Sequence, residues 1–439
     1  MLNKFFPAVP GPVPFEGKDS KNPLAFRYYE KNRRVDRATM ADHLRFSVAY
    51  WHTMMGSGAD MFGGPSFVRT WHASADPLTR ARETMDAAFE FMQKLGVDYY
   101  CFHDRDIAPE GKTFAETCRN LETMVAHAGS LQKETGIGLL WGTANLFSSP
   151  IYAQGAGTSP NAHVMALAAA QVKNAIDATH ALGGQNYVFW GGREGYDTLL
   201  NTDMKREQEQ MARFLHMAVD YKKKIGFTGQ FMIEPNPAEP TKHQYDSSAA
   251  ATLYFLEHYG LIHDFALNIE ANHATLAGHT FEHELTVAAA AGKLGSVDAN
   301  RGDTMVGWDT DQFPANLYDT TLAMLVIMGQ GGLGRGGLNF DAKVRRASTD
   351  PVDLFHAHIG GMDAFARGLL IAQRIIDDGV FAKFIAGRYG TFASGIGADM
   401  MAGRAGLAEA ERWVLAGGAP DLQSGRQEML ENILNGYIV

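Results

Sequence analysis

The chain has 439 residues, of which 46% are hydrophobic and 20% charged, so it can bury a large core and is not of the disordered class. Forty-nine Asp and Glu residues against 39 Lys and Arg residues give a formal net charge of −10. This charge argues against a general nucleic-acid binder, which needs positive charge to displace counterions. The two cysteines, Cys101 and Cys118, are too few for a disulfide framework and favour a cytoplasmic protein with reduced thiols.

No segment is typical of a targeting signal or a membrane anchor. Prolines at positions 7, 10, 12 and 14 interrupt the apolar residues of the N-terminus, so we expect no signal peptide. The longest apolar runs, such as 322–328, are far shorter than the roughly 20 residues of a membrane-spanning helix.

Short β-rich runs alternate along the chain with longer amphipathic stretches. The runs predict eight strands, at 46–52, 97–103, 139–143, 186–190, 230–234, 266–270, 295–298 and 337–341. Helical spacing of apolar residues predicts helices that include 81–95, 162–182, 203–224, 318–328 and a long last helix over 352–377. Eight strand–helix units indicate an α/β fold, a (β/α)8 TIM barrel rather than an open doubly wound sheet.

The C-terminal part of the chain has helical pieces near 407–416 and 426–434 and no predicted strand. It has too few regularly spaced apolar residues to form an independent core. We therefore divide the chain into a catalytic barrel with an N-terminal extension, residues 1–380, and a helical C-terminal arm for oligomerisation, residues 381–439. The alternative is that the arm covers its own barrel.

Carboxylates follow the predicted strands at the end where the active site of a TIM barrel lies. They are Glu234, Glu270, Asp298 and Asp341 at the ends of strands five to eight, with Asp309, Asp311 and His273 close to them in sequence. Six converging carboxylates would repel one another without cations. Oxygen ligands with one imidazole suit Mg²⁺, Mn²⁺ or Co²⁺, and two ions could share Glu270. The alternative is a scatter of solvated surface acids.

A second candidate site follows strand two, where His103 lies near Asp104 and Asp106. A histidine beside a carboxylate is a common acid–base arrangement, although a lone histidine is more often structural. Trp190 and Phe147 lie close enough to strand ends to form an apolar wall beside a sugar, or they belong to the core.

Two literal pattern matches are expected to be without function. Residues 329–334 read G-x-G-x-x-G, but they follow a helix and precede a strand, the reverse of what a dinucleotide site requires. Residues 279–283 read H-x-x-E-H, an inverted zinc-protease pattern, but we expect them on a helix facing outward from the barrel. A zinc assay would test the second match.

The chain resembles the xylose isomerase family, in the longer-chain class with an extended N-terminal segment. The resemblance runs from 22–26 to 423–428 and rests on specific motifs, namely Tyr50-Trp51-His52-Thr53, Cys101-Phe102-His103-Asp104, Trp190-Gly191-Gly192-Arg193-Glu194-Gly195-Tyr196, Glu239-Pro240-Thr241-Lys242-His243-Gln244-Tyr245 and Asn339-Phe340-Asp341-Ala342-Lys343. It implies a (β/α)8 barrel with a C-terminal helical arm, assembled as a homotetramer. The implied activity interconverts D-xylose and D-xylulose, and often D-glucose and D-fructose, by a hydride shift from C2 to C1.

The resemblance also implies two divalent cations per subunit and a set of residue roles. The first cation would be held by Glu234, Glu270, Asp298 and Asp341, and the second by Glu270, His273, Asp309 and Asp311. His103, oriented by Asp106, would bind the ring form of the sugar and assist its opening. The remaining implied positions are Trp190 and Phe147 lining the sugar site, Thr143 near a sugar hydroxyl, Lys343 near the metal-binding acids, and Phe62 reaching into a neighbouring subunit's site.

One position departs from the family pattern. The family has Glu-Pro-Lys-Pro at strand five, whereas this chain has Asn236 at the lysine position. The family lysine hydrogen-bonds O1 of the sugar, and losing one such donor commonly costs ~10²–10³ in rate. The chain is then an impaired isomerase, an enzyme for another aldose, or a natural variant that compensates. Smaller departures, Met54, Met55 and Ile151, reshape the pocket rim or are neutral.

Other functions remain open beside the isomerase. One is a related sugar isomerase or epimerase, and another is a catalytically silent protein that binds metal and sugar, which Asn236 makes conceivable. A metal-dependent nuclease is a distant third, because the chain has net negative charge and no basic groove signature.

Overall fold

The computed structural model describes residues 4–417 and 420–438. Eight parallel strands close a barrel in which each strand pairs with its neighbours in chain order, and strand eight pairs with strand one. The strands are β1 Ser47–Ala49, β2 Tyr99–His103, β3 Gly138–Thr143, β4 Asn186–Trp190, β5 Gln230–Glu234, β6 Phe265–Glu270, β7 Leu294–Asp298 and β8 Leu338–Phe340. The predicted (β/α)8 TIM barrel is confirmed.

A helix follows each strand and packs outside the barrel. The helices are α1 Pro77–Leu95, α2 Phe114–Thr135, α3 Ala162–Ala181, α4 Met204–Ile225, α5 Ala249–His258, α6 Phe281–Ala290, α7 Leu317–Gly329 and α8 Val352–Asp378. Four helices continue the chain as α9 Val380–Arg388, α10 Gly395–Met401, α11 Leu407–Gly417 and α12 Gln427–Tyr437. The predictions for the arm correspond to α11 and α12 but missed α9 and α10.

Local sequence signals explain where the helices begin and end. Asp76 caps α1 by accepting from the Thr79 N–H, and Pro77 occupies the first helical position, where no hydrogen-bond donor is needed. Gly96 ends the helix at a φ of 80°, a left-handed conformation that costs glycine little. Gly136 and Gly226 end α2 and α4 in the same left-handed conformation.

Strands β1 and β8 end earlier than predicted. The run predicted over 46–52 leaves the barrel at Ala49, and Tyr50–Thr53 form one helical turn. Strand β8 ends at Phe340, so Asp341 is the first residue beyond it. Short helical turns also follow β2, at Asp104–Ile107, and β6, at Ala271–Leu276. These turns direct polar side chains over the mouth of the barrel.

The arm has few buried side chains. Leu434 of α12 packs against Ile371 and Ile375 of α8, so part of the arm lies on its own barrel. Large apolar side chains elsewhere in the arm, including Trp413 and Leu415, are exposed in the single chain. Among the described residues, no helix combines the length and apolar character needed to cross a bilayer.

The N-terminal extension is held against α1 by a buried ion pair. Glu90 accepts hydrogen bonds from the backbone N–H groups of Phe5 and Phe6. Lys94 lies 2.9 Å from Glu90 and donates to the Phe6 carbonyl at 2.7 Å. Phe6 then packs on Trp71 at a centroid distance of 5.2 Å. Removing either charge breaks this buried ion pair, which is costly in the core.

Replacing Lys94 by methionine is therefore expected to lower the free energy of unfolding by about 3 kcal/mol, because it removes the buried ion pair with Glu90 and the hydrogen bond to the Phe6 carbonyl. Urea unfolding measures the change. Lys133→Met, at an exposed lysine in the last turn of α2, is the matched control and should change stability little. Equal losses in the two variants would contradict a special role for the buried pair.

Candidate active site

A cavity of about 260 Å³ lies at the carboxyl ends of the barrel strands. Its lining includes most of the predicted site residues, namely His103, Asp106, Thr143, Phe147, Trp190, Glu234, Glu270, His273, Asp309, Asp311 and Asp341. Asp298 lies beneath it and is fully buried. The strand-end carboxylates thus form one cluster and are not dispersed over the surface.

The carboxylates form two overlapping groups of potential metal ligands. Oxygen atoms of Glu234, Glu270, Asp298 and Asp341 lie within 4.8 Å of one another, and so do those of Glu270, Asp309 and Asp311. Glu270 belongs to both groups. His273 adjoins them, with Nδ1 at 3.0 Å from Glu270 and Nε2 at 3.6 Å from Asp309.

The residues present fit divalent cations. Nδ1 of His273 is buried and has no hydrogen-bond partner among the described residues, although carboxylate oxygens lie close to it. Lone pairs that converge in this way, with oxygen ligands and one imidazole, suit Mg²⁺, Mn²⁺ or Co²⁺.

The electrostatics of the cluster point the same way. Burial, together with the neighbouring carboxylates, raises the pKa of Glu234 and of Glu270 well above the usual range. Burial likewise raises the pKa of Asp298 to about 7 and that of Asp309 to about 6. The protein alone does not supply enough positive charge to keep all these groups ionised.

Two cationic side chains favour the ionised form of Asp311. Burial acts to raise the pKa of this carboxyl, but His52 at 3.1 Å and Lys343 at 3.0 Å outweigh it and hold the pKa below its usual range. Burial acts to lower the pKa of His52, but Asp311 and Asp341 raise it to about 9. Lys343 therefore lies beside Asp311, one of the carboxylates of the cluster.

Asparagine amides hold the carboxylates from behind. Nδ2 of Asn268 donates to Glu234 at 3.0 Å and to Asp298 at 2.6 Å. Asn339 donates to Asp298 at 2.7 Å, and Asn300 donates to Glu270 at 2.7 Å.

Sequence reasoning missed these asparagines, although a signal was present. Asn268 and Asn339 each lie two residues before a predicted ligand, and Asn300 lies two residues after Asp298. Alternate residues of an extended segment point the same way, so these amides could have been paired with the carboxylates.

The other side of the cavity is aromatic. Nδ1 of His103 lies 2.7 Å from Asp106, which fixes the orientation of the imidazole. Phe147 packs edge-on against Trp190 at 4.5 Å and lies 5.4 Å from His103. The hydroxyl of Thr143 donates to the Val188 carbonyl at 2.6 Å. Apolar rings therefore face the carboxylates across the cavity.

Trp51 and His52 also line the cavity but were not predicted as site residues. The indole N–H of Trp51 donates to Asp341 at 2.8 Å, and its ring lies 4.3 Å from the His103 ring. Both residues lie in the helical turn after β1, whereas the sequence predicted a continuing strand. The β-rich run over 46–52 was the wrong guide here, because the chain changes conformation at Tyr50.

Four predicted site residues lie outside the cavity lining, and two of them, Asp298 and Lys343, still contact the carboxylate cluster. The other two are Phe62 and Asn236. The Phe62 side chain is 77% exposed, and its ring centroid lies 5.7 Å from that of Trp308. Asn236 is fully buried, but its side chain is bonded within its own loop, donating to the Glu239 carbonyl at 3.1 Å and accepting from the Ala238 N–H at 3.3 Å.

The smaller departures do not line the cavity either. Met54 is fully buried, whereas Met55 and Ile151 are 41% and 50% exposed.

The G-x-G-x-x-G run lies between α7 and β8, as expected of a pattern without a phosphate-binding helix. Neither observation adds a residue to the site.

The closed barrel and its carboxylate cavity define a TIM-barrel enzyme with a site suited to divalent cations. The chain is 56% identical over 438 residues to the xylose isomerase of Thermotoga maritima, covering 100% of this chain and 98% of that one. It is 58% identical over 435 residues to xylose isomerase 1 of Xanthomonas axonopodis pv. citri, covering 99% and 98%. The chain belongs to the xylose isomerase family.

Two further comparisons concern the C-terminal arm and the fold. The family model described as the XylA2 C-terminal domain matches residues 385–438. The solved structure of an L-ribulose 3-epimerase superposes with a TM-score of 0.50 at 16% identity, covering 70% of this chain and 95% of that one. At that identity the likeness concerns the fold alone.

The asparagine layer gives a testable prediction. Asn268→Ser removes the amide that orients Glu234 and Asp298, so Mn²⁺ affinity should fall about 10–100-fold, as measured by calorimetric titration. Asn186→Ser is the matched control, because the amide of this buried strand asparagine donates to the carbonyls of Leu140 and Arg335 and, among the described residues, to no site carboxylate. Unchanged affinity in Asn268→Ser, or an equal fall in the control, would contradict the orienting role.

Proposed function

We propose that the chain interconverts D-xylose and D-xylulose, and also D-glucose and D-fructose, with two divalent cations bound in the carboxylate cluster. The observation that carries the proposal is the pair of ligand groups that share Glu270 in the cavity. The first ion would be held by Glu234, Glu270, Asp298 and Asp341, and the second by Glu270, His273, Asp309 and Asp311. Relatives named xylose isomerase at 56–58% identity support the sugar assignment.

The bound cations would supply Lewis-acid polarisation of sugar oxygens O1 and O2. In the net reaction, hydride passes from C2 to C1 and a proton passes from O2 to O1, so the aldose becomes a ketose without loss of atoms. His103, fixed by Asp106, would bind the sugar ring and assist its opening. Phe147 and Trp190 would exclude water beside the open chain and favour hydride transfer over enediol chemistry.

We further propose a cytoplasmic homotetramer in which residues 381–439 form the oligomerisation arm. The exposed apolar side chains of the arm, including Trp413 and Leu415, would be covered by another subunit. The exposed Phe62 would reach into a neighbouring subunit's site. Cys101 and Cys118 are both free thiols, which suits a reducing compartment.

The first test is turnover of D-xylose to D-xylulose with Mg²⁺, Mn²⁺ or Co²⁺. We expect turnover that EDTA abolishes and that added cation restores. His103→Gln, which retains a polar side chain without an imidazole, should lower kcat while leaving cation affinity unchanged. Cation binding without turnover of either sugar would contradict the proposal and favour the silent binding protein or another aldose.

Asn236 is the observation that favours reduced activity. Its side chain is committed to the Glu239 and Ala238 backbone and does not line the cavity, so it is not placed to donate to the sugar. The impaired and altered-substrate interpretations are therefore preferred to full compensation.

Asn236→Lys should raise kcat by ~10² or more, because it restores a donor toward the oxygen that becomes charged during the hydride shift. Asn236→Met is the control, because methionine is similar in length to lysine but carries no charge, and this variant should not gain activity. Steady-state kinetics gives kcat, and titration should show little change in cation affinity. An unchanged kcat in the lysine variant would mean that this position does not limit the rate.

A further inference from the structure

A second group of potential metal-ligating side chains lies outside the cavity lining, at the start of α6. His279 precedes α6, and His283 and Glu284 lie in its first turn. Potential ligand atoms of these three residues lie within 4.8 Å of one another. None of the three lines the active-site cavity.

The geometry differs from the literal H-x-x-E-H pattern. That pattern requires Glu282, but the carboxylate beside the two imidazoles belongs to Glu284, the residue after His283. Nδ1 of His279 lies 2.7 Å from Oε1 of Glu284, and Nε2 of His283 lies 4.0 Å from the same oxygen. The two imidazole rings are in edge contact, with centroids 4.9 Å apart.

Glu284 is fixed in position by the fold. Its side chain is nearly fully buried, and Oε2 accepts a hydrogen bond of 2.6 Å from the Ala249 N–H at the start of α5. This bond leaves Oε1 directed at the two histidines. Orientation of a ligating carboxylate by a second hydrogen bond is typical of metal sites.

Two imidazoles and one carboxylate are a zinc-type donor set. Ligand atoms about 2.1 Å from a tetrahedral Zn²⁺ lie roughly 3.4 Å apart. The His279 contact would therefore lengthen and the His283 contact would shorten. Both histidine side chains are accessible enough to make this adjustment, with exposures of 39% and 54%. The buried carboxylate need not move.

We propose that His279, His283 and Glu284 bind a Zn²⁺-class ion, with water completing the coordination. Mg²⁺ would not compete well, because it prefers an octahedral shell of oxygen atoms. The ion would join the β6–α6 connection to α6 and, through Glu284, to α5. It is separate from the ions of the proposed reaction.

Zinc content after equilibrium dialysis of the full chain against Zn²⁺, in the presence of excess Mg²⁺, tests the site. Wild type should retain about one more zinc per chain than His279→Ala or His283→Ala. His263→Ala, at another exposed histidine, is the matched control and should equal wild type. Zinc that enters the carboxylate cluster contributes equally to all four proteins and cancels in the comparison.

Glu284→Gln separates metal binding from the anchoring of α5, because its amide oxygen can still accept from Ala249. We expect this variant to lose the extra zinc while keeping its circular dichroism and its melting temperature in EDTA. His283→Cys should regain the extra zinc, because it restores a ligand. Equal zinc content in wild type and the two alanine variants would overturn the proposal. That result is independent of whether D-xylose is turned over.

Discussion

The repulsion among carboxylates at the barrel mouth is the constraint on which the rest of the site depends. The parallel strands bring Glu234, Glu270 and Asp298 to one edge, and the following segments add Asp309 and Asp311. Burial removes the water that would screen these charges, so each carboxylate must find a cation, a hydrogen-bond donor or a proton. The surrounding residues supply cations to some of these carboxylates and hydrogen-bond donors to others.

The protein meets part of this requirement itself. His52 and Lys343 supply charge beside Asp311, and the amides of Asn268, Asn300 and Asn339 supply oriented dipoles to the other acids. Amides hold a carboxylate without neutralising it, so they preserve the affinity for an added cation. The rings of Phe147 and Trp190 form an apolar part of the same cavity lining, so the site combines a charged side with an aromatic side.

The fold and most of the cluster were predictable because buried parallel strands appear as short apolar runs that end in polar residues. The orientation of the Asn236 side chain was not predictable, because it depends on hydrogen bonds within its loop that leave no local sequence pattern. Trp51 and His52 were missed for another reason: the apolar run continues through the point where strand changes to helix. Periodicity over so few residues cannot distinguish the two conformations.

The position of Glu270 in both ligand groups has a thermodynamic consequence. An ion held by one group would be bound by the Glu270 carboxylate, which the other group also uses. It would also reduce the charge repulsion between Glu270 and the acids of the other group. Occupancy of the two proposed positions would therefore be linked, and by reciprocity each ion would change the affinity of the other position by the same factor. Binding of the two proposed cations would then be a property of the pair, with the shared Glu270 carboxylate as the point of coupling.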